Sequence, residues 1–512
     1  MSRLATAEFS APLDMIIVGG GINGSGIAAD AAGRGLRVGL YEAEDFASAT
    51  SSASSKLIHG GLRYLEHFEF RLVSEALAER EVILHKAPHL AKPMRFILPH
   101  RPFLRPAWMI RCGLFLYDHL GQRTTLPASS QVDLSQYPGM QPEINTGFEY
   151  SDCWVDDARL VLANVQSAWQ NGAEISNYCK VVAAKQDAGL WRVTLEDQLT
   201  GQRVVRYCKA LINAAGPWVK QFFEHQLASI APRNIRLIKG SHVVVRKIHS
   251  DSRAFILQNR DGRIVFVIPY LDDFSLIGTT DLEYNDDARQ VSISAEEIDY
   301  LLDVVNQHFT KPVAKQDIIW SFSGVRPLCD DESASASAIT RDYTLELIAD
   351  KNAPPLLSVF GGKLTTYRKL AEAAMVKLAP YFPKMGAPWT ACQALPGGQF
   401  SCSREQLVHA LCLRYPWLPA GLAQRLVNQY GSQSWQLLSG IGSMQQMGQC
   451  FGHDLYQHEV DYLITNEWVI NSQDLLWRRS KLGLYLSIDQ QKQLQDYLQR
   501  QSFKPVEQRQ IG

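Results

Sequence analysis

The sequence has no surplus of charge of either sign. Lys and Arg number 51 against 52 Asp and Glu, a net charge of −1, so the broad basic footprint that nucleic acid requires is missing. It has no C-x-x-C pair. The cysteines, at 112, 153, 179, 208, 329, 392, 402, 412 and 450, are scattered and odd in number, which excludes a disulfide framework, predicts no metal site, and fits free thiols in a reducing compartment. No apolar run approaches the ~20 residues that span a bilayer. The most apolar stretch, PAWMIRCGLFLY, is interrupted by Arg111, so membrane contact is expected to be peripheral. The opening MSRLATAEFSAPLD carries one Arg and no long apolar core, which predicts that the chain is not exported and stays cytoplasmic.

What is present is ordinary globular material: 512 residues, 46% apolar and 20% charged. At about 100 to 200 residues per domain, that is enough for two to four domains. Residues 15 to 42 read as one βαβ unit: the strand MIIVG, a glycine turn, a small-residue helix ending at Gly33 and Gly35, and the strand LRVGLYE. Amphipathic helices are predicted over 71–86, 156–172 and 294–308. Between them KVVAAKQDAGLWRVTLED, QRVVRYCKALINAAG, LIKGSHVVVRKI, RIVFVIPYLDDFSLIGTTD and IIWSFSGVRPL alternate as strands do, predicting a sheet-rich middle. The Pro- and Gly-rich stretch 382–400 reads as a linker, and the remainder as a helical domain.

Gly19, Gly21 and Gly24 stand in G-x-G-x-x-G register between strand and helix, and Glu42 ends the next strand. Together these supply a dinucleotide site, with glycines for the turn and for close approach, and a carboxylate for the ribose hydroxyls. The helix dipole would face the diphosphate. NAD and FAD share the pattern. No second strand-glycine-helix unit follows, so a separate nicotinamide domain is not expected, and ALINAAGPW reads as a return strand along a long FAD, with Ala215 and Gly216 against the cofactor. In TSSASSKLIHGGLRYLEHFEF, Ser51, Ser52, Ser54 and Ser55 offer hydroxyls, Gly60 and Gly61 allow backbone approach, and Arg63 sits beside Tyr64. That combination suits a diphosphate followed by an anionic substrate.

GGGINGSGIAADAAGRG, TSSASSKLIHGGLRYLEHFEFRLVSEALAERE, SDCWVDDARLVLAN, IRLIKGSHVVV, GTTDLEY, SGVRPLCDDE and SVFGGKLTTYRKLAE, in that order, resemble the flavin-dependent respiratory glycerol-3-phosphate dehydrogenases, above all the aerobic bacterial members. The resemblance is dense over about residues 14 to 380. It implies an α/β fold: an FAD-binding Rossmann-like domain of the glutathione-reductase/D-amino-acid-oxidase type, an antiparallel-sheet substrate domain and an α-helical C-terminal domain. The expected division gives 14–90, 156–235 and 338–390 to the FAD domain and 91–155 to a substrate and membrane-facing segment. The sheet-rich substrate domain takes 236–337, and the helical cap takes 391–512. The resemblance further implies that Ile22, Asn23, Lys56, Val182, Gly361, Gly362, Leu364 and Thr365 join the residues above in holding FAD.

The implied reaction is oxidation of sn-glycerol 3-phosphate to dihydroxyacetone phosphate, with electrons passing through FAD to a membrane quinone. An oxygen-using oxidase and a flavin-bound sensor without turnover are the alternatives. Such chemistry needs a group for the hydroxyl proton and an anchor for the phosphate. His242 is the first candidate base and Arg326 the second; Arg326 otherwise stabilises the developing alkoxide, and Thr279 orients the hydroxyl. Arg63, Tyr64, Arg341 and Lys363 are placed on the phosphate. A homodimer is among the assemblies the sequence leaves open. Finally, Val82 to Tyr117 contains no acidic residue but has Lys86, Lys92, Arg95, Arg101, Arg105 and Arg111 interleaved with Phe103, Trp108, Met109, Ile110, Phe115 and Leu116. This is the composition of a surface lying on anionic lipid at the inner face of the cell membrane.

Overall fold

A computed structural model of the chain describes residues 11–62, 65, 68–121, 126–329, 342–350 and 353–502. At its centre the strand Leu13–Val18 lies parallel between Val38–Tyr41 and Arg203–Asn213. The eight-stranded sheet continues through Glu174–Ser176 on one side and Leu356–Phe360 and Thr344–Ile348 on the other, with the hairpin Cys179–Asp187/Leu190–Asp197 attached to Arg203–Asn213. Its parallel strands are apolar runs because both faces are covered. The helix Ile22–Gly33 packs against Asp157–Gln170 and Tyr367–Leu378. Its Ala28, Ala29, Ala31 and Ala32 are all buried, and this small-residue surface lets the neighbouring helices close in on it.

The second sheet has ten strands. Ile235–Arg246 pairs antiparallel with Ile318–Cys329, Phe274–Gly278 and Leu282–Tyr284, and the sheet runs on through Ile264–Tyr270, Ala254–Gln258, Ala91–Pro99 and Thr146–Val155. The sequence separates 91–155 from 236–337. In the fold both belong to this one sheet, joined by the parallel pairs Ala254↔Phe96 and Phe255↔Ile97. Leu57–Ile58, from the segment assigned to the nucleotide domain, also pairs here, with Trp154 and Cys153. Pairing between such distant segments leaves no local mark in a sequence.

The C-terminal region builds its own core from Leu411, Leu426, Val427, Leu463, Leu475 and Leu494 on helices that include Arg404–Arg414, Ala420–Tyr430, Gln457–Asn466 and Ile488–Ser502. One small hairpin, Cys450–Gly452 with Leu455–Tyr456, turns through His453 and Asp454 at positive φ, as tight hairpins require. Two buried charge clusters lock this cap onto the nucleotide domain. Asp45, after the second strand, pairs with Arg478 and Arg479, and Arg159 pairs with Glu467.

His249 is buried near the helix Ala295–Asn306, its ring stacked on Phe309 and edge-on to Phe255. Burial pushes its imidazole down to about 4 against the pull of Asp251. An unfolded histidine titrates near ~6.5, so between these values the unfolded chain binds the proton and stability falls as pH drops. The loss from this residue is about 2 kcal/mol at pH ~5. Urea unfolding of wild type and His249→Phe at both ends of the window should show a smaller acid loss in the variant. An equal loss would contradict this account.

Candidate active site

A cavity of about 500 Å³ opens at the carboxyl end of the central strands. The turn after Leu13–Val18 crosses the turn after Arg203–Asn213 so closely that a Cβ on Gly19, which has φ +106°, would lie 2.5 Å from the Ala214 carbonyl oxygen. A Cβ on Gly24 would lie 1.9 Å from the Gly19 oxygen. The first and third glycines therefore bring helix and turns together, while Gly19, Gly21, Ile22 and Asn23 line the cavity and Gly24 does not. Glu42 accepts the Gly20 N–H at 2.6 Å and the Glu44 N–H at 2.9 Å. Burial raises its pKa, and these two bonds oppose the rise. Each carboxylate oxygen keeps a lone pair for a ribose hydroxyl.

The serine loop is held from behind. Ser51 Oγ accepts the Ile22 N–H at 3.0 Å, at the start of the first helix. Ser54 Oγ donates to Asp157 at 2.7 Å and accepts the Lys56 N–H at 2.9 Å. Thr50 donates to the Val325 carbonyl at 2.6 Å. Ser51, Ser54 and Ser55 line the cavity. Lys56, expected on the cofactor, is corrected. Its fully buried ammonium pairs with Asp157 at 2.8 Å and donates to the Ser52 carbonyl at 3.0 Å, which turns it away from the cavity. Ser52 lies outside this lining, as do Gly60 and Gly61. The Gly60 N–H is used by the Tyr117 hydroxyl at 2.8 Å. Val182 is also displaced: the register shift between Val181 and Ala183 leaves it unpaired, and Lys180 and Val181 face the cavity instead.

Ala215, Gly216, Gly361, Gly362, Lys363, Leu364 and Thr365 complete the wall. Asn23 donates to the Gly361 carbonyl at 3.1 Å, and its own buried Oδ1 has no partner among the described residues. A glycine turn, an acidic strand end, a hydroxyl-lined loop and this spare acceptor fit FAD.

At the far end the second sheet brings the catalytic candidates together by register, His242 opposite Phe322 and Gly278, and Arg326 opposite Ile238. Thr279 follows Gly278 and donates to the Thr280 carbonyl at 3.1 Å. Arg326 pairs with Asp281 at 2.7 Å and donates to the Thr280 carbonyl at 2.9 Å, which fixes its guanidinium. His242 is 2% exposed and stacked on Phe322. Burial, then the charges of Lys56 and Arg326, lower its pKa to about 3, so it is neutral at ordinary pH. Its Nε2 lies 2.9 Å from Ser55 Oγ, a bond the sequence did not reveal. His59 also lines the cavity; its place four residues after Ser55, in a motif already singled out, was the available signal. Arg63, Tyr64 and Arg341 lie outside the described residues.

The helix Ala107–His119 turns Trp108, Phe115 and Leu116 outward and buries Leu114 and Tyr117. Arg111 is exposed on it and Arg105 just before it. The rest of the basic stretch is partly withdrawn: Lys86 is buried, Arg95 pairs with Glu149 at 2.9 Å, and Arg101 donates to the Gln307 carbonyl at 3.1 Å.

Two family descriptions match the chain: FAD dependent oxidoreductase over residues 14–368, and the C-terminal domain of alpha-glycerophosphate oxidase over 389–499. The chain is 57% identical to the aerobic glycerol-3-phosphate dehydrogenase of Escherichia coli K12, over 95% of this chain and 97% of that protein. It is 58% identical to the glycerol-3-phosphate dehydrogenase of Pseudomonas aeruginosa, over 96% of each. Its fold is similar to the crystal structure of the glycerol-3-phosphate dehydrogenase from Bacillus halodurans complexed with FAD, with a TM-score of 0.77 and 27% identity, covering 98% of this chain and 92% of that one.

Removing one partner of a buried ion pair strands the other, at a cost of about 3–5 kcal/mol. Lys56→Met should therefore lower stability to urea by about that amount and release flavin. Lys56→Met with Asp157→Leu should regain most of the stability but hold flavin weakly, because Ser54 has lost its acceptor. A single variant as stable as wild type would refute the role given to this pair.

Proposed function

Since the chain belongs to the FAD-dependent oxidoreductases and, within them, to the glycerol-3-phosphate dehydrogenases, we propose that it oxidises sn-glycerol 3-phosphate to dihydroxyacetone phosphate and passes the electrons to a membrane quinone, as a step of glycerol catabolism. The observation that carries this reading is the single cavity shared by the dinucleotide turn and the cluster His242, Thr279 and Arg326. FAD, when bound there, supplies the ring that accepts the hydride. Gly361 to Thr365 would hold the ring end, and Glu42 the ribose. Arg326, kept in place by Asp281, offers its positive charge to the alcohol oxygen as negative charge develops there. Thr279, held by its bond to the Thr280 carbonyl, shapes the wall beside that oxygen. Lys363 contributes positive charge to the same wall for the phosphate.

The electron outlet is read from the surface. Among the described residues no helix is long and apolar enough to cross a membrane. The helix Ala107–His119 presents Trp108, 65% exposed, and Phe115, 61% exposed, with Arg105 and Arg111, an arrangement that lies on anionic lipid. The protein then works at the cytoplasmic face of the cell membrane, bound peripherally.

Mixed anaerobically with sn-glycerol 3-phosphate, the flavin should bleach, recover quickly with a soluble quinone and only slowly in air. Fast recovery in air would favour an oxidase, and no bleaching would exclude this substrate. Arg105→Ser with Arg111→Ser should weaken binding to anionic liposomes, read by sedimentation, about 30-fold, at about 1 kcal/mol per basic residue near the surface. Unchanged sedimentation would remove the lipid surface from this reading.

A further inference from the structure

His242 lines the cavity, but it is 2% exposed and its Nε2 is engaged by Ser55. Its Nε2 is directed at Ser55 Oγ, 2.9 Å away, and its Nδ1 is buried with no partner among the described residues. The ring is fixed on one side by its stack on Phe322, with centroids 4.9 Å apart. On another it is fixed by Gly278, where a Cβ would come within 2.1 Å of the imidazole. Ser55 is the less buried member of the pair and stands in the cavity wall with Thr279 and Arg326. Its loop is pressed onto the strand that carries Arg326, where a Cβ on Gly324 would meet Ala53 at 2.7 Å.

We propose that Ser55 is a catalytic residue that relays the substrate's hydroxyl proton to His242. The step rests on the alcohol oxidation given above, and it balances. The substrate's O–H bond breaks and its proton goes to Ser55 Oγ, while the serine's own proton passes to His242 Nε2. The C–H bond breaks with its electron pair, which leaves as hydride to FAD, the oxidant, and the C–O bond becomes double. Ser55 ends as it began, and once the product leaves, the proton returns from His242 Nε2 through Ser55 to water in the cavity. Burial, Lys56 and Arg326 disfavour the charged imidazole, so the proton is held briefly and given up readily.

The test uses the FAD-loaded enzyme, with flavin content measured for every variant. Anaerobic flavin bleaching by sn-glycerol 3-phosphate is followed in stopped flow. Ser55→Ala should slow bleaching about 100-fold at saturating substrate with little change in the half-saturating concentration. Ser55→Thr, which keeps a hydroxyl, should stay within several-fold of wild type. Because both residues serve one path, Ser55→Ala with His242→Gln should be no slower than the slower single variant. If Ser55→Ala fails to retain flavin, His242→Gln decides alone by the same split between rate and half-saturation. Bleaching by Ser55→Ala as fast as wild type, or effects that multiply in the double variant, would overturn the relay. Failure of the substrate reading looks different, because wild type itself would then not bleach.

Discussion

An ammonium group and a carboxylate, both shut off from water, face each other 2.8 Å apart at Lys56 and Asp157. The site depends on this pair. Taking two charges out of water is expensive, and such pairs seldom add net stability compared with apolar residues. Here the pair fixes position. Asp157 opens the helix that packs on the first helix, and it also gathers Ser54. Lys56 is followed at once by Leu57–Ile58, the strand that enters the second sheet. One ion pair thus sets the nucleotide layer, the hydroxyl-lined loop and the sheet with His242 in register.

The parts legible in the sequence are those whose causes are local. The glycine turn, the small-residue helix and Glu42 lie within about thirty residues, and steric demands within that span dictate them. The amphipathic helices follow from their periodicity, with edges displaced by one or two residues. What escaped were destinations. Lys56 looks like any cation near a phosphate until Asp157, 101 residues on, is known to be dry and close. Gly60 reads as a backbone opening until Tyr117 takes its N–H, and Val182 reads as a strand residue until a bulge removes it from the ladder. Ser55 and His242 are 187 positions apart, and neither motif points to the other.

The second sheet was misread in the same way. Strands were recognised in 236–337 but not in 91–155, and the two parts did not read as one sheet because their junction is a short parallel contact between Ala254–Gln258 and Ala91–Pro99. That junction lets a single layer carry the outward-facing helix Ala107–His119 at one end and Arg326 at the other. The exposed face of that helix and the cavity wall at Arg326 are therefore built on one continuous sheet.

The locks at Asp45 have a consequence for how the protein is made. Its partners, Arg478 and Arg479, lie more than 430 residues later, and of the two strands beside Leu13–Val18 one begins only at Arg203. While the chain is being synthesised, the first two strands emerge without the rest of their sheet, and Asp45 emerges without its charge partners. The cavity wall is not complete until Thr365 has left the ribosome. FAD therefore finds its full cavity only after Thr365 has emerged, and until then the apolar strands have to be shielded by other means, so the yield of holoprotein depends on flavin supply late in translation or after it, as well as on translation itself.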